Sequence, residues 1–377
     1  MTPRADTGGR AMTGTSAMPR PRRAVLLAAI AAAVAVAAVV NAYRPRVAPR
    51  PLQIAEVPGL PERYRAGINT MGTEGALLVL APDLDAARPM LEAAVEPVRR
   101  VAVVMSTYRS DSEISRLNRE GARGPVQLSP DTTRVLREAV RFSALSGGAF
   151  DVTYAPLRTL WRKAGEGQKL PSQVEIAEVL AAVGSANLFL ADGAASFAHP
   201  GMEADLGGIA KGYAIDLAVE GMIAAGAKSG MVDIGGDIRV IGLREAGEEW
   251  KIRIRDPRPG EHDPMFLRLS DAAVATSGDY ERYYEIEGQR LSHIVDPRTG
   301  WPVADVPSVT VVATDATSAD ALATAINVLG PEEGLKLIDS LPGAECMIMV
   351  RQQGGDSDAV RAYYSAGFRD LMEGAIP

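Results

Sequence analysis

An acidic residue, two adjacent glycines and a lysine lie directly before a long apolar segment in the stretch Asp205–Tyr213. This order is typical of a tight turn that becomes a helix, because glycine permits the turn and the first helical amides face outward. Those unpaired N–H groups and the charge of Lys211 could together hold a phosphate group. The spacing matches neither a Walker loop nor a G-x-G-x-x-G fingerprint, so an ordinary junction between a loop and a helix is the alternative.

A carboxylate and a hydroxyl occur four residues apart in a second stretch, Asp315–Thr324. If this stretch is helical, Asp320 and Thr324 lie on the same face near the start of the helix. Such oxygen ligands suit Mg²⁺, which keeps few protein ligands and takes the others from water and phosphate. The alternative is a solvated first turn in which the helix dipole stabilises the aspartate.

A histidine is the notable residue of the third stretch, Ser292–Gly300, which follows the polar segment Ala275–Tyr280. His293 lies at the end of a predicted strand, and the sequence Asp-Pro-Arg-Thr-Gly after it is typical of a turn. A lone histidine in such a place is more often structural than catalytic.

Composition and charge exclude several kinds of site. The net charge of −7, with scattered basic residues, argues against nucleic-acid binding. Cys346 is the single cysteine, so no intramolecular disulfide and no cluster of thiolate ligands can form. The three histidines are far apart in the sequence, which argues against a zinc site; they are His199, His262 and His293.

The N-terminal sequence predicts export or membrane attachment. Residues 1–23 are predicted to be a disordered, basic segment, because small and polar residues without apolar periodicity end in arginines. The apolar run within residues 24–42 predicts a signal peptide or a membrane anchor, with a buried core helix as the less favoured alternative. The folded part would then work in the periplasm or on the outer face of the cytoplasmic membrane. Residues 43–65 are rich in proline and are predicted to be a linker.

Residues 66–377 are predicted to form one folded domain. Strands occur in groups with helices between the groups, which predicts an α+β fold with antiparallel sheets rather than a doubly wound parallel sheet. The polar segment Met105–Asn118 is predicted to be a loop. Helices are predicted over 83–104, 130–145, 172–183 and 318–329, and after 205–213. Strands are predicted over 76–80, 231–241 (a pair), 250–255, 272–276, 283–286, 290–295, 309–313 and 346–350.

Taken together, these segments resemble the ApbE family of FAD:protein FMN transferases. The matching pieces follow the family's order and span nearly the whole folded part. They are Met71–Thr73, Met105–Glu113, Gly148–Thr153, Pro156-Leu157, Leu160-Trp161, Asp205–Tyr213, Gly235–Asp237, Ala275–Tyr280, Ser292–Gly300 and Asp315–Thr324. The chain departs from the family's usual residues at three positions, which are Gly147, Ala155 and Asp233. None of these departures removes a matched ligand, so they affect fine geometry only.

The resemblance implies a Mg²⁺-dependent enzyme that splits FAD at its pyrophosphate. It would transfer FMN to a threonine or serine hydroxyl of an acceptor protein and release AMP. Family positions that contact FAD fall on Met71, Tyr108, Ala149, Phe150, Asp151, Asp205, Lys211 and Val295. Those that hold the metal fall on Gly208 (by its carbonyl), Asp320 and Thr324. His293 and Asp320 are both candidates for the base, and metal ligation would make Asp320 the poorer one.

Two other functions are compatible with the same residues. Water could replace the acceptor hydroxyl, which would make the protein a Mg²⁺-dependent FAD hydrolase that releases FMN and AMP. A protein that binds FAD without turnover is the third hypothesis. The pair Asp320 and Thr324 favours an enzyme, because storage of a flavin needs no metal at the pyrophosphate. For a transferase, the expected acceptor is a subunit of a membrane redox system.

Overall fold

A nine-stranded antiparallel sheet lies at the centre of the part of the chain that the structure describes. The structure is a computed structural model and describes residues 51–258, 260, 262–278, 283–352 and 359–373. In spatial order the strands are β1 (Ile54–Val57), β2 (Leu60–Thr70), β3 (Thr73–Leu80), β7 (Gly230–Ile234), β8 (Asp237–Ile241), β11 (Ala273–Gly278), β14 (Ser308–Ala313), β15 (Glu345–Arg351) and β16 (Val360–Tyr364).

Three small sheets complete the strands of the described residues. The first contains β4 (Val126–Gln127), β6 (Ala194–Phe197) and β5 (Leu188–Ala191). The second contains β17 (Met372–Glu373), β10 (Met265–Leu269) and β9 (Trp250–Ile254). The third is the hairpin of β12 (Tyr283–Ile286) and β13 (Gln289–Ser292).

Seven α-helices are present among the described residues, and none of them is long and apolar enough to cross a membrane. Five begin at a side chain that accepts a hydrogen bond from the amide three residues later, which satisfies an otherwise unpaired donor. The helices are α1 (Leu84–Val104), α2 (Glu113–Glu120), α3 (Pro130–Leu145), α4 (Ala155–Gly167), α5 (Gln173–Leu180), α6 (Ala210–Ala224) and α7 (Ala316–Asp339).

The central sheet buries apolar side chains on both faces. Along β3, Leu77 and Val79 belong to the main core, to which α1, α6 and α7 contribute. Leu78 lies between them in sequence and belongs to a second core with β9 and β10, as the alternation of side chains along a strand requires. A smaller third core surrounds Trp161 between α4, α5 and the β12–β13 hairpin.

Glycines let α6 approach its neighbours backbone to backbone. A Cβ on Gly212 would lie 2.1 Å from the carbonyl oxygen of Ala316 at the start of α7. A Cβ on Gly221 would lie 2.6 Å from the carbonyl oxygen of Ala93 in α1. Helix α6 therefore packs closely against both α1 and α7.

The structure confirms the predicted α+β fold and most predicted elements. The helix after Ser129-Pro130, the capping box of Ser172 and Glu175, and the glycine-linked pair β7–β8 are all present. The predicted strand near the end of the chain is β15, where the Cys346 thiol is buried. The predictions for residues 1–42 concern residues outside the described part of the chain.

Two predictions of local structure are wrong. The predicted linker 43–65 contains β1 and the first half of β2, so the folded part begins before residue 66. Its prolines are compatible with these strands because Pro58 lies in the turn between β1 and β2, and Pro61 lies at the start of β2, before the residues that pair with β3. The predicted loop Met105–Asn118 contains the start of α2, because the Ser112 hydroxyl accepts from the Ser115 amide (3.0 Å) and caps a short helix.

The contact at Gly212 generates a prediction about stability. Gly212→Ala is expected to lower the free energy of unfolding by about 3 kcal/mol, because the added methyl group must push two helix backbones apart. The matched control is Gly167→Ala, at an exposed helical glycine with open space around it, which should stabilise by up to about 1 kcal/mol. Urea denaturation followed by circular dichroism measures both values. Equal midpoints for the two variants would contradict the close packing.

Candidate active site

The starts of α6 and α7 bring the two chemically informative motifs together. The amide of Gly212 donates to Oδ2 of Asp320 (3.0 Å), whose side chain is only 5% exposed. One turn later, Thr324 Oγ1 lies 3.2 Å from Ser277 Oγ of β11. A Cβ on Gly208 would lie 3.1 Å from Thr324 Oγ1, so the turn before α6 touches the same face of α7. The predicted metal ligands Gly208, Asp320 and Thr324 are thus neighbours.

Lys211 lies between two buried carboxylates. Its ammonium group forms an ion pair with Oδ2 of Asp237 at the start of β8 and lies 3.8 Å from Oδ1 of Asp320. The other oxygen of Asp237, Oδ1, accepts from the amide of Thr276 (3.3 Å). The turn before β8 depends on Gly235 and Gly236, which have φ of 66° and 91° and therefore favour glycine.

The surroundings of Asp320 change its acidity. Burial raises the pKa of Asp320 to about 6, the Lys211 ammonium opposes this shift, and the Asp237 carboxylate adds to it. Two carboxylates in a site of low polarity favour a second cation besides Lys211. This electrostatic demand agrees with a divalent metal at Asp320.

Asp205 is fixed by contacts that the sequence did not indicate. Its carboxylate forms an ion pair with Arg158 of α4, and its Oδ1 accepts from the amide of Gly207 (2.7 Å). Its own amide donates to the carbonyl of Val152 (2.7 Å). Asp205 therefore holds the turn before α6 against the loop before α4.

Asp151 uses its carboxylate inside the protein. The carboxylate accepts five hydrogen bonds, of 2.6–3.3 Å, from Thr153, Ser185 and Ser143. It fixes the loop that carries Ala149 and Phe150, which are both buried. Its predicted contact with FAD stays a prediction.

Phe150 links this loop to the predicted metal ligands. An added Cβ on Gly208 would lie 3.3 Å from Cε2 of the Phe150 ring. The ring also packs edge-on against Phe142 of α3, with centroids 6.3 Å apart. The loop is therefore anchored to the core and touches the turn before α6.

Met71 and Tyr108 both lie in turns, and Met71 is partly buried against the main core. Met71 lies in the turn between β2 and β3, and the side chain of Thr73 in that turn lies 2.9 Å from where a Cβ on Gly235 would be. Tyr108 is 90% exposed. Burial raises the pKa of the neighbouring Tyr154, the Asp205 carboxylate adds to the shift, and Arg158 opposes it.

Val295 and His293 belong to the segment around the Asp296–Gly300 turn. Val295 is buried in the third core and forms a β-bridge with Pro302, whereas His293 is half-buried. The turn is fixed by Trp161, whose Nε1 donates to the carbonyl of Gly300 (2.8 Å). A Cβ on Gly148 would lie 3.6 Å from Cγ of Arg298, which places this turn beside the Phe150 loop.

The site includes residues that the sequence predictions did not name as contacts. Asp237 and Ser277 lie in matched motifs, but the sequence analysis gave them no role. The glycine pair before Asp237 and the hydroxyl-rich strand around Ser277 are the sequence features that could have indicated them. Arg158 gave no signal, because its helix was not predicted. Asp279 and Tyr280 of the matched motif Ala275–Tyr280 lie outside the described residues.

Comparison with known proteins gives one consistent result. Residues 71–348 match the model of the ApbE family. The FAD:protein FMN transferase of Vibrio cholerae is 36% identical over 272 residues, which is 71% of this chain and 80% of the relative. The FAD:protein FMN transferase of Treponema pallidum is 35% identical over 302 residues, or 73% of this chain and 83% of the relative.

Solved structures agree with these relatives. The flavin transferase ApbE from Vibrio cholerae superposes with a TM-score of 0.72 at 32% identity and covers 82% of this chain and 99% of its own. The ApbE protein from Thermotoga maritima gives a TM-score of 0.72 at 34% identity, with the same two coverages.

The raised pKa of Asp320 predicts a pH-dependent effect on stability. The pKa of Asp320 is about 6 in the folded chain and 3.8 in the unfolded chain. The protonated carboxyl group therefore contributes stability that is fully present below pH 3.8 and is lost as the pH rises through about 6. In metal-free protein, Asp320→Asn should therefore stabilise the fold at about pH 7.5 and do so less at about pH 4.5. Urea denaturation in EDTA tests this, with Asp339→Asn at an exposed position of α7 as the control. Destabilisation by Asp320→Asn at both pH values would contradict the raised pKa of Asp320.

Proposed function

The chain belongs to the ApbE family, and we propose that it transfers FMN from FAD to a threonine or serine hydroxyl of an acceptor protein and releases AMP. The observation that carries the proposal is the contact between α6 and α7. It joins the Asp320 carboxylate, the Thr324 hydroxyl and the Gly208 backbone beside the Lys211 ammonium. Oxygen ligands beside one cation suit a pyrophosphate, whose cleavage needs positioning and charge stabilisation.

Mg²⁺ is the metal that these groups fit. The three ligands supply only oxygen atoms, which hard divalent cations prefer. Among the described residues, no group of three or more His, Cys, Asp or Glu side chains could hold a metal. A site with one carboxylate, one hydroxyl and one carbonyl suits Mg²⁺, since this ion retains several waters or phosphate oxygens. When bound, Mg²⁺ would neutralise charge on the phosphates as the anhydride opens.

The protein would hold FAD through groups on both sides of this contact. Lys211 would lie close to the phosphates, because its ammonium group is 3.8 Å from Oδ1 of the proposed metal ligand Asp320. The exposed ring of Tyr108 offers a face on which a flat ring can stack. The remaining proposed contacts lie in the surrounding loops and turns: Met71, Ala149, Phe150, Asp151, Asp205 and Val295.

In the proposed reaction the acceptor oxygen bonds to the phosphorus on the FMN side of the pyrophosphate. The bond between this phosphorus and the bridging oxygen breaks, and AMP leaves with that oxygen. The hydroxyl proton must pass to a base. We assign it to His293, because Asp320 accepts from the Gly212 amide, faces Lys211 and would ligate the metal, all of which make it a weaker base.

We also propose that the reaction takes place outside the cytoplasm. This rests on the apolar run within residues 24–42, with its basic flanks, as a signal peptide or membrane anchor. An exported enzyme would meet an acceptor that is a subunit of a membrane redox system. Cell fractionation with an antibody against the chain tests this location, and recovery in the cytoplasm alone would contradict it.

The decisive experiment measures both products. The full-length chain in detergent is incubated with FAD, Mg²⁺ and a candidate acceptor, after which AMP is quantified and the acceptor mass is determined. Transfer predicts AMP together with a flavin-sized mass increase. AMP with an unmodified acceptor would indicate FAD hydrolysis instead, and the absence of AMP would contradict both enzyme functions.

Loss of the Asp320 carboxylate should abolish turnover. Asp320→Ala removes one metal ligand and the partner of the Gly212 amide, so AMP release at ordinary Mg²⁺ concentration is expected to fall to background. Asp339→Ala, at an exposed position on the same helix, should retain wild-type activity. AMP release from Asp320→Ala at a near-normal rate would show that the metal assignment is wrong.

Removal of the proposed base should slow the chemical step without weakening metal binding. His293→Gln is expected to lower the rate of flavin transfer by about 100-fold or more at saturating FAD and Mg²⁺. The Mg²⁺ concentration for half-maximal rate should stay unchanged. His199→Gln, at an exposed histidine, is the control. A His293→Gln variant with a normal rate would exclude this histidine as the base.

A further inference from the structure

The side chain of Asp216 joins three elements of the fold without belonging to the ligands proposed above. It is buried on α6, one turn after Gly212. Its Oδ1 accepts from the amide of Ala316 (2.8 Å) and from Nη1 of Arg239 in β8 (2.7 Å). Its Oδ2 accepts from the amide (2.8 Å) and the hydroxyl (2.5 Å) of Thr317. All four contacts connect α6 to α7 or to β8.

These hydrogen bonds fix the first turn of α7. Ala316 and Thr317 are the first two residues of the helix, where amides have no partner within the helix itself. Asp320 and Thr324 follow within the next two turns of the same helix. The regular hydrogen bonds of a helix fix their positions relative to the first turn. Any shift of the first turn therefore moves both proposed metal ligands.

The elements that Asp216 connects are those that carry the charged groups of the site. Helix α6 carries Lys211, β8 begins at Asp237, and α7 carries Asp320. We propose that Asp216, held by Arg239, is a positioning residue that sets where the oxygens of α7 lie relative to α6 and β8. It thereby sets the affinity of the site for a divalent cation. This inference rests on the proposed function.

Asp315 provides an internal comparison, because it caps the same helix locally. Its Oδ1 accepts from the amide of Ser318 (2.8 Å) and its Oδ2 accepts from the Ser318 hydroxyl (2.9 Å). If Asp216 only stabilised the end of α7, loss of either aspartate would have the same consequences. If Asp216 positions the metal ligands, its loss must weaken binding of a divalent cation more than the loss of Asp315 does.

The test compares Asp216→Asn with Asp315→Asn in the full-length chain. Binding of Mn²⁺ alone is measured by the electron paramagnetic resonance signal of the free ion, and stability is measured by urea denaturation. Asp216→Asn is expected to weaken Mn²⁺ binding about tenfold or more, whereas Asp315→Asn should change it by less than about twofold. Asp216→Asn should lose stability, because it removes the charge that pairs with Arg239 and one of the two acceptor oxygens. Asp315→Asn should lose less stability, because asparagine also serves as an N-cap.

A kinetic readout separates positioning from loss of active protein. For Asp216→Asn, the Mg²⁺ concentration for half-maximal AMP release should rise about as much as the Mn²⁺ affinity falls, while kcat recovers at high Mg²⁺. If Asp216→Asn does not fold, Thr317→Val takes its place, because it removes one of the four hydrogen bonds and keeps the shape of the side chain. It should weaken Mn²⁺ binding severalfold.

Three results would overturn the inference. Wild-type Mn²⁺ affinity in Asp216→Asn, or in Thr317→Val where that variant is used, would exclude a role in positioning the ligands. Equal weakening in Asp216→Asn and Asp315→Asn would reduce Asp216 to an ordinary cap. A wild-type chain that binds no Mn²⁺ would overturn the metal assignment of the proposed function, and the inference with it.

Discussion

Two helix backbones meet at Gly212 with no side chain between them, and the chemistry of the site depends on this contact. Any Cβ at this position would overlap the Ala316 carbonyl. The close approach lets the Gly212 amide donate to Asp320, which is a buried carboxylate that would otherwise be costly to ionise. It also places the turn with Gly208, and Lys211 in the first turn of α6, beside α7. The absence of one methyl group therefore determines where the three proposed metal ligands and one ammonium group converge.

Charge balance is the second organising constraint. Asp205, Asp237 and Asp320 are all buried, and their ion pairs involve Arg158 and Lys211. Arg158 neutralises Asp205, whereas Lys211 faces both of the other carboxylates. Burial raises the pKa of Asp320, and the Asp237 carboxylate adds to the shift against the opposing effect of Lys211. A divalent cation would balance these charges, so the electrostatics of the folded chain and the proposed metal dependence have a common cause.

Local patterns predicted much of the fold, because caps, glycine turns and periodic apolar residues act over short distances. Ser129-Pro130, Ser172 with Glu175, and the glycines before β8 each marked an element that the structure contains. The same reasoning failed where polar residues stabilise a helix end. Ser112 caps α2, although serines in a charged segment resemble a loop. Prolines also misled, since Pro58 lies in a turn and Pro61 lies at the start of β2, where a strand tolerates proline.

The site was predictable in part, for a different reason. Asp320 and Thr324 are close in sequence, and helical geometry alone puts them on one face. The partners of these residues come from remote segments: Lys211 meets Asp237, Asp205 meets Arg158, and α7 is held by α6. Pairing of that kind depends on the tertiary packing, which a single sequence does not specify.

The buried thiol of Cys346 has a consequence for the lifetime of the protein. Burial raises its pKa to about 12, so the reactive thiolate is almost absent while β15 stays in the sheet. The chain has no second cysteine with which to close a ring. In an oxidising compartment, an unfolded molecule would expose this thiol, which could form a disulfide with another chain and so hinder refolding. Persistence of the folded form is then governed by the rate of unfolding rather than by its equilibrium alone.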